Sequence, residues 1–134
     1  MSDSKKKVDV VSLATNEFSK TLVFSNFNGG QRDPDQCEVQ LRSGTFSFEG
    51  TFYFENLSEF TSSIGQMAEG KYGIAELRED HRNQFIRMEL SESGDVVVIG
   101  IMEQHREFSQ SLTFGFKTDQ TCLALFARDL RKVL

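Results

Sequence analysis

Two histidines with carboxylates beside them are the residues of this chain whose types could carry out chemistry. His81 directly follows two acidic residues, and His105 lies close to two others. These neighbours are Glu79, Asp80, Glu103 and Glu107. An imidazole beside a carboxylate could act as an acid–base pair or help to hold a metal ion. Both histidines nevertheless fall in turn-like stretches, where such side chains are ordinarily solvated, so we predict no catalytic residue, no metal and no cofactor.

The sequence lacks the short motifs of common enzymes and cofactor sites. It has no GxGxxG, no P-loop, no HExxH, no GxSxG and no EF-hand loop. Its two cysteines, Cys37 and Cys122, lie far apart within apolar patterns and have no CxxC or CxxH companion. We interpret both as buried free thiols, with a single disulfide or a nucleophile as the alternatives. The sequence therefore predicts a protein that is not an enzyme.

The four carboxylates near the histidines are candidates for a partner-binding surface. If the strands around them form a meander, alternate hairpin turns meet at one end of the sheet and bring Glu79, Asp80, Glu103 and Glu107 together. Such an acidic patch would accelerate association with a basic protein and would lose strength as the salt concentration rises. The alternative is the solvated surface of an acidic protein.

Charge and composition narrow the class of partner. The chain of 134 residues has 20 Asp and Glu against 15 Lys and Arg, a formal net charge of −5. Nucleic-acid binding needs clustered Lys and Arg, so this balance argues against nucleic acid. No segment approaches the roughly 20 apolar residues of a membrane span, and the first lysines are not followed by the apolar stretch of a signal peptide. We expect a cytoplasmic protein with a protein partner, without nucleic acid and without a membrane.

Two strand-then-helix units stand out along the chain. In residues 45–55 apolar and polar residues alternate, which predicts a strand with Phe46, Phe48, Phe52 and Phe54 on one face. Asn56, with Glu59 as its capping-box partner, then predicts the start of a helix over about 57–68, which Gly70 ends.

The second unit closes the chain. A half-buried strand starts at Phe108 and places Phe108, Leu112, Phe114 and Phe116 on one face. Thr118 or Asp119 can cap the helix that follows over about 119–133. Apolar residues recur in it at helical spacing: Leu123, Phe126, Ala127, Leu130 and Val133.

Three apolar segments between the units predict further strands at residues 72–77, 85–90 and 96–102, joined by hairpin-like turns. Residues 96–101 are apolar at successive positions apart from Gly100. This run predicts a central strand covered on both faces.

Together these elements predict an α+β fold in a single domain spanning residues 1–134. A mostly antiparallel sheet of about six to eight strands would carry both helices, 57–68 and 119–133, on one face. Residues 1–7 are expected to form a disordered tail, and residues 28–36, which include the one proline, a mobile loop. Whether the short apolar runs at 8–13 and 22–27 join the main sheet is left open.

Several of these segments resemble the WapI-like family of small bacterial immunity proteins. The resemblance covers about residues 37–134 and includes the phenylalanine-rich strand before Leu57 and Phe60 and the hairpin at Gly94. The other matching features are the stretches 73–77 and 112–121 and the closing pattern of Leu123, Phe126, Leu130 and Leu134. It implies a non-catalytic cytoplasmic protein that binds and blocks the toxic domain of a toxin made by the same bacterium, and it assigns no contact residues.

The leading hypothesis is therefore a binding module that inhibits a basic toxin domain. The acidic charge fits this hypothesis, because nuclease toxins must present basic surfaces to nucleic acid. One alternative is a homo-oligomeric structural or scaffold protein, with an isologous homodimer as its commonest form. The other is a small-ligand binder that uses His81 or His105.

Overall fold

The computed structural model describes residues 10–15, 19–28, 35–54, 56–71, 73–79, 83–105 and 107–133. These residues form strands β1 (Val10–Leu13), β2 (Lys20–Asn28), β3 (Gln36–Ser43), β4 (Phe46–Tyr53), β5 (Gly73–Arg78), β6 (Phe85–Leu90), β7 (Asp95–His105) and β8 (Ser109–Asp119). Helix α1 (Leu57–Ala68) lies between β4 and β5, and helix α2 (Gln120–Val133) follows β8. Both helices match their predicted bounds.

The strands divide between two antiparallel sheets of four, in each of which consecutive strands are neighbours. Strands β1 to β4 form the N-terminal sheet, and β5 to β8 form the C-terminal sheet. The α+β class and the meander of the last four strands are confirmed. The two strands nearest the N-terminus, whose place the sequence left open, lie in the N-terminal sheet with β3 and β4.

The predicted tail and mobile loop fall largely on residues that the structure does not describe. Residues 1–7 and the centre of the 28–36 loop lie outside the described ranges. At the ends of that loop, Asn28 and Gln36 pair as neighbouring strand residues of β2 and β3.

The core is a single apolar cluster to which both sheets and both helices contribute. Phe126 of α2 is fully buried in it. Its ring centroid lies 5.7 Å from that of Phe24 in β2 and 6.5 Å from that of Phe60 in α1, the second pair nearly edge-to-face at 83°. Aromatic pairs in such arrangements add attraction beyond the area that they bury. Phe126 therefore joins the N-terminal sheet to both helices.

The helix ends differ from their prediction at one position. Asp119 caps α2 as predicted, because its Oδ1 accepts a hydrogen bond from the backbone N–H of Cys122 at 3.0 Å. Gly70 ends α1 with a φ of +94°, a conformation that glycine adopts without a steric penalty. Asn56 stands at the N-cap position of α1 without a capping side-chain bond, and its Nδ2 donates to the backbone carbonyl of Glu76 at 2.9 Å. The side chain of Asn56 thus joins α1 to β5, and the predicted capping box is wrong.

Strand β7 is covered on one face only, which corrects the prediction of a strand buried on both faces. Val96, Val98 and Met102 are fully buried in the common core. On the opposite face Val97 is 38% exposed, and Ile99 and Ile101 are half-buried. The reason is that the buried residues of both helices belong to the cluster on the first face.

The two cysteines are free thiols, with Cys37 buried in β3 and Cys122 half-buried in α2. Burial, and secondarily the negative charge of Glu38, raises the pKa of the Cys37 thiol. Since the thiolate is the reactive form, Cys37 should resist alkylation in the folded protein. We expect iodoacetamide at pH 8 to modify Cys37 only after urea is added, as measured by peptide mass spectrometry. Modification of Cys37 at the same rate with and without urea would contradict this burial.

Replacing Phe126 with Ala should lower the free energy of unfolding by roughly 3 to 5 kcal/mol, because the ring would leave a cavity between two packed phenylalanines. Urea unfolding measures the change. Leu125→Ala is the matched control, since Leu125 is 53% exposed on the same helix and should cost less than about 0.5 kcal/mol. Equal losses in the two variants would show that α2 does not pack through Phe126.

Candidate functional site

The two sheets meet along the free edge of β4, which is the last strand of the N-terminal sheet. An edge strand presents backbone groups that have no partner in its own sheet. Here side chains from the C-terminal half supply the partners. Gln104 Nε2 donates to the carbonyl of Glu49 at 2.8 Å, and Gln84 Nε2 donates to the carbonyl of Thr51 at 3.1 Å. We call this set of contacts, together with the Glu79 contact described next, the inter-sheet junction.

Glu79 lies inside the junction and not on the surface. It is only 3% exposed. Its Oε2 accepts a hydrogen bond from the backbone N–H of Tyr53 at 2.6 Å and another from Gln84 Nε2 at 2.9 Å. Hydrogen bonds to a carboxylate are short and stronger than those between neutral groups, which suits a buried position. The expectation that Glu79 contributes to an exposed acidic patch is therefore corrected.

Gln84 is the centre of the junction, and sequence reasoning missed it. It is fully buried and uses both ends of its amide. Besides the bonds to Thr51 and Glu79, its Oε1 accepts a hydrogen bond from the backbone N–H of Glu103 at 2.8 Å. One side chain thus contacts β4, the end of β5 and β7. The sequence offers only a glutamine next to a turn as a signal, because its partners in β4 and β7 are distant along the chain.

The remaining residues of the predicted acidic surface differ in their exposure to solvent. Glu103 is half-buried near the end of β7, where Asn83 Nδ2 donates to its carboxylate at 3.5 Å. Glu107 is exposed in the turn between β7 and β8. Asp80 and His81 lie outside the described residues, as does the side chain of His105. Gln84 hydrogen-bonds to the side chain of Glu79 and to the backbone N–H of Glu103. Glu79 and Glu103 therefore lie at the same end of the C-terminal sheet.

Beside the junction the two sheets border an open cleft of about 770 Å³. Its walls come from β2, β3 and β4 on one side and from the β7–β8 hairpin on the other. Its lining includes Gln40, Arg42, Phe46, Phe48, Glu49, Gln104, Gln110 and Leu112. Phe46 is 63% exposed. The cleft therefore combines an accessible aromatic ring with several hydrogen-bonding groups.

The hairpin that forms one wall ends in another exposed aromatic residue. Phe108 is 74% exposed in the turn before β8. It was expected on the buried face of the last strand, but β7 continues to His105 and β8 begins only at Ser109. The turn therefore falls later than the sequence pattern predicts, and Phe108 lies in it, directly before β8.

The described residues carry hydrogen-bonding, charged and aromatic side chains. Among them no group of three or more His, Cys, Asp or Glu could hold a metal ion. Neither helix in these ranges has the length and hydropathy of a transmembrane segment. The cleft lining offers a ring, amides and opposite charges, which are groups that recognise a protein surface.

A second exposed surface is the outer face of the C-terminal sheet. Cross-strand pairing places Phe85 beside Ile101 and Val97 beside Lys117. Ile74 of β5 is 51% exposed on the same face. Four charged groups of this face form two ion pairs: Arg78 and Glu76 approach to 3.0 Å, and Arg87 and Glu89 to 3.6 Å.

Fold and site together define an antiparallel α+β protein with a partly apolar cleft between its two sheets. The sequence model of the immunity protein WapI-like family matches residues 10–134. The chain belongs to that family, which confirms the resemblance and extends it toward the N-terminus. The searches of curated proteins and of solved structures gave no match.

Replacing Gln84 with Ala should lower the free energy of unfolding by about 2 to 4 kcal/mol. The change would leave a buried carboxylate with one partner fewer, which costs about 1 to 3 kcal/mol, and would remove two part-buried hydrogen bonds to backbone groups, each worth about 0.5 to 1 kcal/mol. Chemical denaturation measures the change. Gln66→Ala, at an exposed position of α1, is the control and should be nearly neutral. A neutral Gln84→Ala variant would mean that the junction does not stabilise the fold.

Proposed function

We propose that this chain is a non-catalytic immunity protein that binds the toxic domain of a bacterial toxin and neutralises it. The observation that carries the proposal is the family match over residues 10–134. The family supplies the class of the protein, an immunity-type protein with a protein partner. The identity of the toxin and the mode of binding are our inference.

The charge of the chain supports a basic partner. A net charge of −5 attracts a positively charged domain over several ångströms and repels nucleic acid and other acidic molecules. A toxin that acts on nucleic acid has a basic surface for its substrate, and an acidic inhibitor would compete for that surface. We infer that binding takes place in the cytoplasm, where such a substrate is found.

The exposed carboxylates at the hairpin ends are proposed to take part in this recognition. Glu107 is exposed and Glu103 is half-buried beside it along the chain. We include Asp80 because it lies in the predicted turn directly after Glu79 in the sequence. Glu79 is excluded from direct contact because its carboxylate is buried in the inter-sheet junction.

A homo-oligomer is the second candidate, and the outer face of the C-terminal sheet favours it. Ile74 and Val97 are 51% and 38% exposed there. An apolar sheet face of this kind can pair with its copy around a two-fold axis. A solution mass that stays at the monomer value over a wide range of concentrations would exclude this candidate.

Cells that express a candidate toxin domain, taken from a gene that adjoins this one, should survive only when this protein is made with it. We expect this survival because the protein binds the toxin domain directly. The two chains should therefore also co-purify, and the complex should weaken as the salt concentration rises. The measurements are growth with and without the protein, and the dissociation constant at several salt concentrations. The control is an unrelated acidic protein of similar charge. Survival without a complex, or no survival, would contradict the proposal.

A further inference from the structure

We propose that the toxin docks in the inter-sheet cleft, with the ring of Phe46 as its apolar anchor and a basic segment of the toxin facing the carboxylates at the rim. This inference rests on the proposed function and adds the contact surface. The proposed function named only the hairpin-end carboxylates as contacts. This inference instead assigns the centre of the interface to β4.

Phe46 is the first argument for this surface. Along one face of β4, Phe52 is fully buried, Phe48 is half-buried and Phe46 is 63% exposed. The core thus continues into an apolar row that runs out to solvent. Aromatic side chains at the centre of an interface often carry much of its binding energy, and an exposed ring gains most when a partner covers it.

The rigidity of the cleft is the second argument. Its β7 wall is attached to its β4 wall by the bond from Gln104 Nε2 to the carbonyl of Glu49 at 2.8 Å. The buried amide of Gln84 attaches the same two strands one step further along, through Thr51 and Glu103. A surface that is already ordered loses less conformational entropy when a partner binds.

Charge is the third argument and decides the kind of partner. On the open face of β3 and β4, Glu38 and Glu49 line the groove that adjoins the cleft. Glu49 accepts a hydrogen bond from Gln40 at 3.3 Å and stays exposed. Arg42 is the cation among the described lining residues. Glu38 and Glu49 outnumber Arg42 on this side of the cleft, which complements a basic segment.

The outer face of the C-terminal sheet fits a basic partner less well. Two of its acidic side chains, Glu76 and Glu89, already face Arg78 and Arg87 at 3.0 and 3.6 Å. Arg78 also lies over the Phe85 ring, 5.3 Å from its centroid. Lys117 adds a further positive charge beside Val97. Asp95 and Glu103 also lie on this face by strand alternation, so the preference for the cleft rests on the ion pairs that already engage Glu76 and Glu89 and not on a net repulsion.

The test is the dissociation constant of single variants for a purified candidate toxin domain, taken from a gene that adjoins this one and made inactive by substitution. Phe46→Ser should weaken binding about tenfold or more, because it removes the anchor. Glu49→Lys should weaken binding and make it less sensitive to salt. Gln110→Lys, at an exposed position on the opposite wall, should also weaken it. Urea midpoints close to that of the parent protein would show that these surface changes leave the fold intact.

Ile74→Ser and Leu125→Ser are the matched controls, since both residues are more than half exposed but lie away from the cleft. We expect each to leave the dissociation constant within about twofold, as is usual for surface positions outside an interface. Tight binding by the parent and by all three cleft variants would overturn the docking surface and leave the proposed function standing. Loss of binding in Ile74→Ser alone would move the interface to the outer sheet face and overturn the inference. A parent protein that does not bind the toxin would overturn both proposals.

Discussion

The edge of β4 is the constraint on which the arrangement of this molecule depends. Two four-stranded sheets have four free edges, and a free edge needs hydrogen-bond partners wherever it is buried. This chain meets that need with three side chains, Glu79, Gln84 and Gln104, in place of a fifth strand. The sheets therefore stay separate, and the cleft opens beside the line along which they meet.

Polar and apolar contacts stabilise this molecule in different ways. Phe126 and its neighbours hold the helices against the N-terminal sheet from within. Additional polar links act at the margins, where Thr118 Oγ1 donates to the carbonyl of Ala14 and Gln120 Nε2 donates to that of Ala68. Apolar packing is tolerant of direction, whereas a hydrogen bond is not. The core thus supplies most of the driving force, and the polar links set how the two sheets are oriented.

Local patterns in the sequence were sufficient for the elements but not for their mutual arrangement. Alternating phenylalanines predicted β4, and the spacing of Leu123, Phe126 and Leu130 predicted α2, because both patterns express short-range geometry. The apolar run around Val97 led to the wrong prediction of a strand buried on both faces. Valine and isoleucine occur both in strands that are covered on one face and in strands that are covered on two, so the run does not distinguish them. Gln84 escaped notice because a residue whose partners lie in distant strands has no periodicity to reveal it.

For the candidate site, too, the sequence indicated which elements carry the residues but not how those residues are arranged. The sequence drew attention to carboxylates at hairpin ends, and Glu103 and Glu107 do lie at one end of β7. It could not distinguish a buried carboxylate from a solvated one, so Glu79 was grouped with them. Phe46 was assigned to the correct face of its strand, but its exposure depends on where the strand passes beyond the edge of the core. Position along an element, more than its type, decides which residues reach a partner.

Closing a strand edge with side chains has a consequence for how the protein is made. The N-terminal sheet leaves the ribosome first, and the glutamine that covers Glu49 is 55 residues further along the chain. Until the later hairpins emerge, β4 is an open template for pairing with another nascent chain. Rapid translation between β4 and β7 would shorten that interval, and slow translation there would favour aggregation over folding.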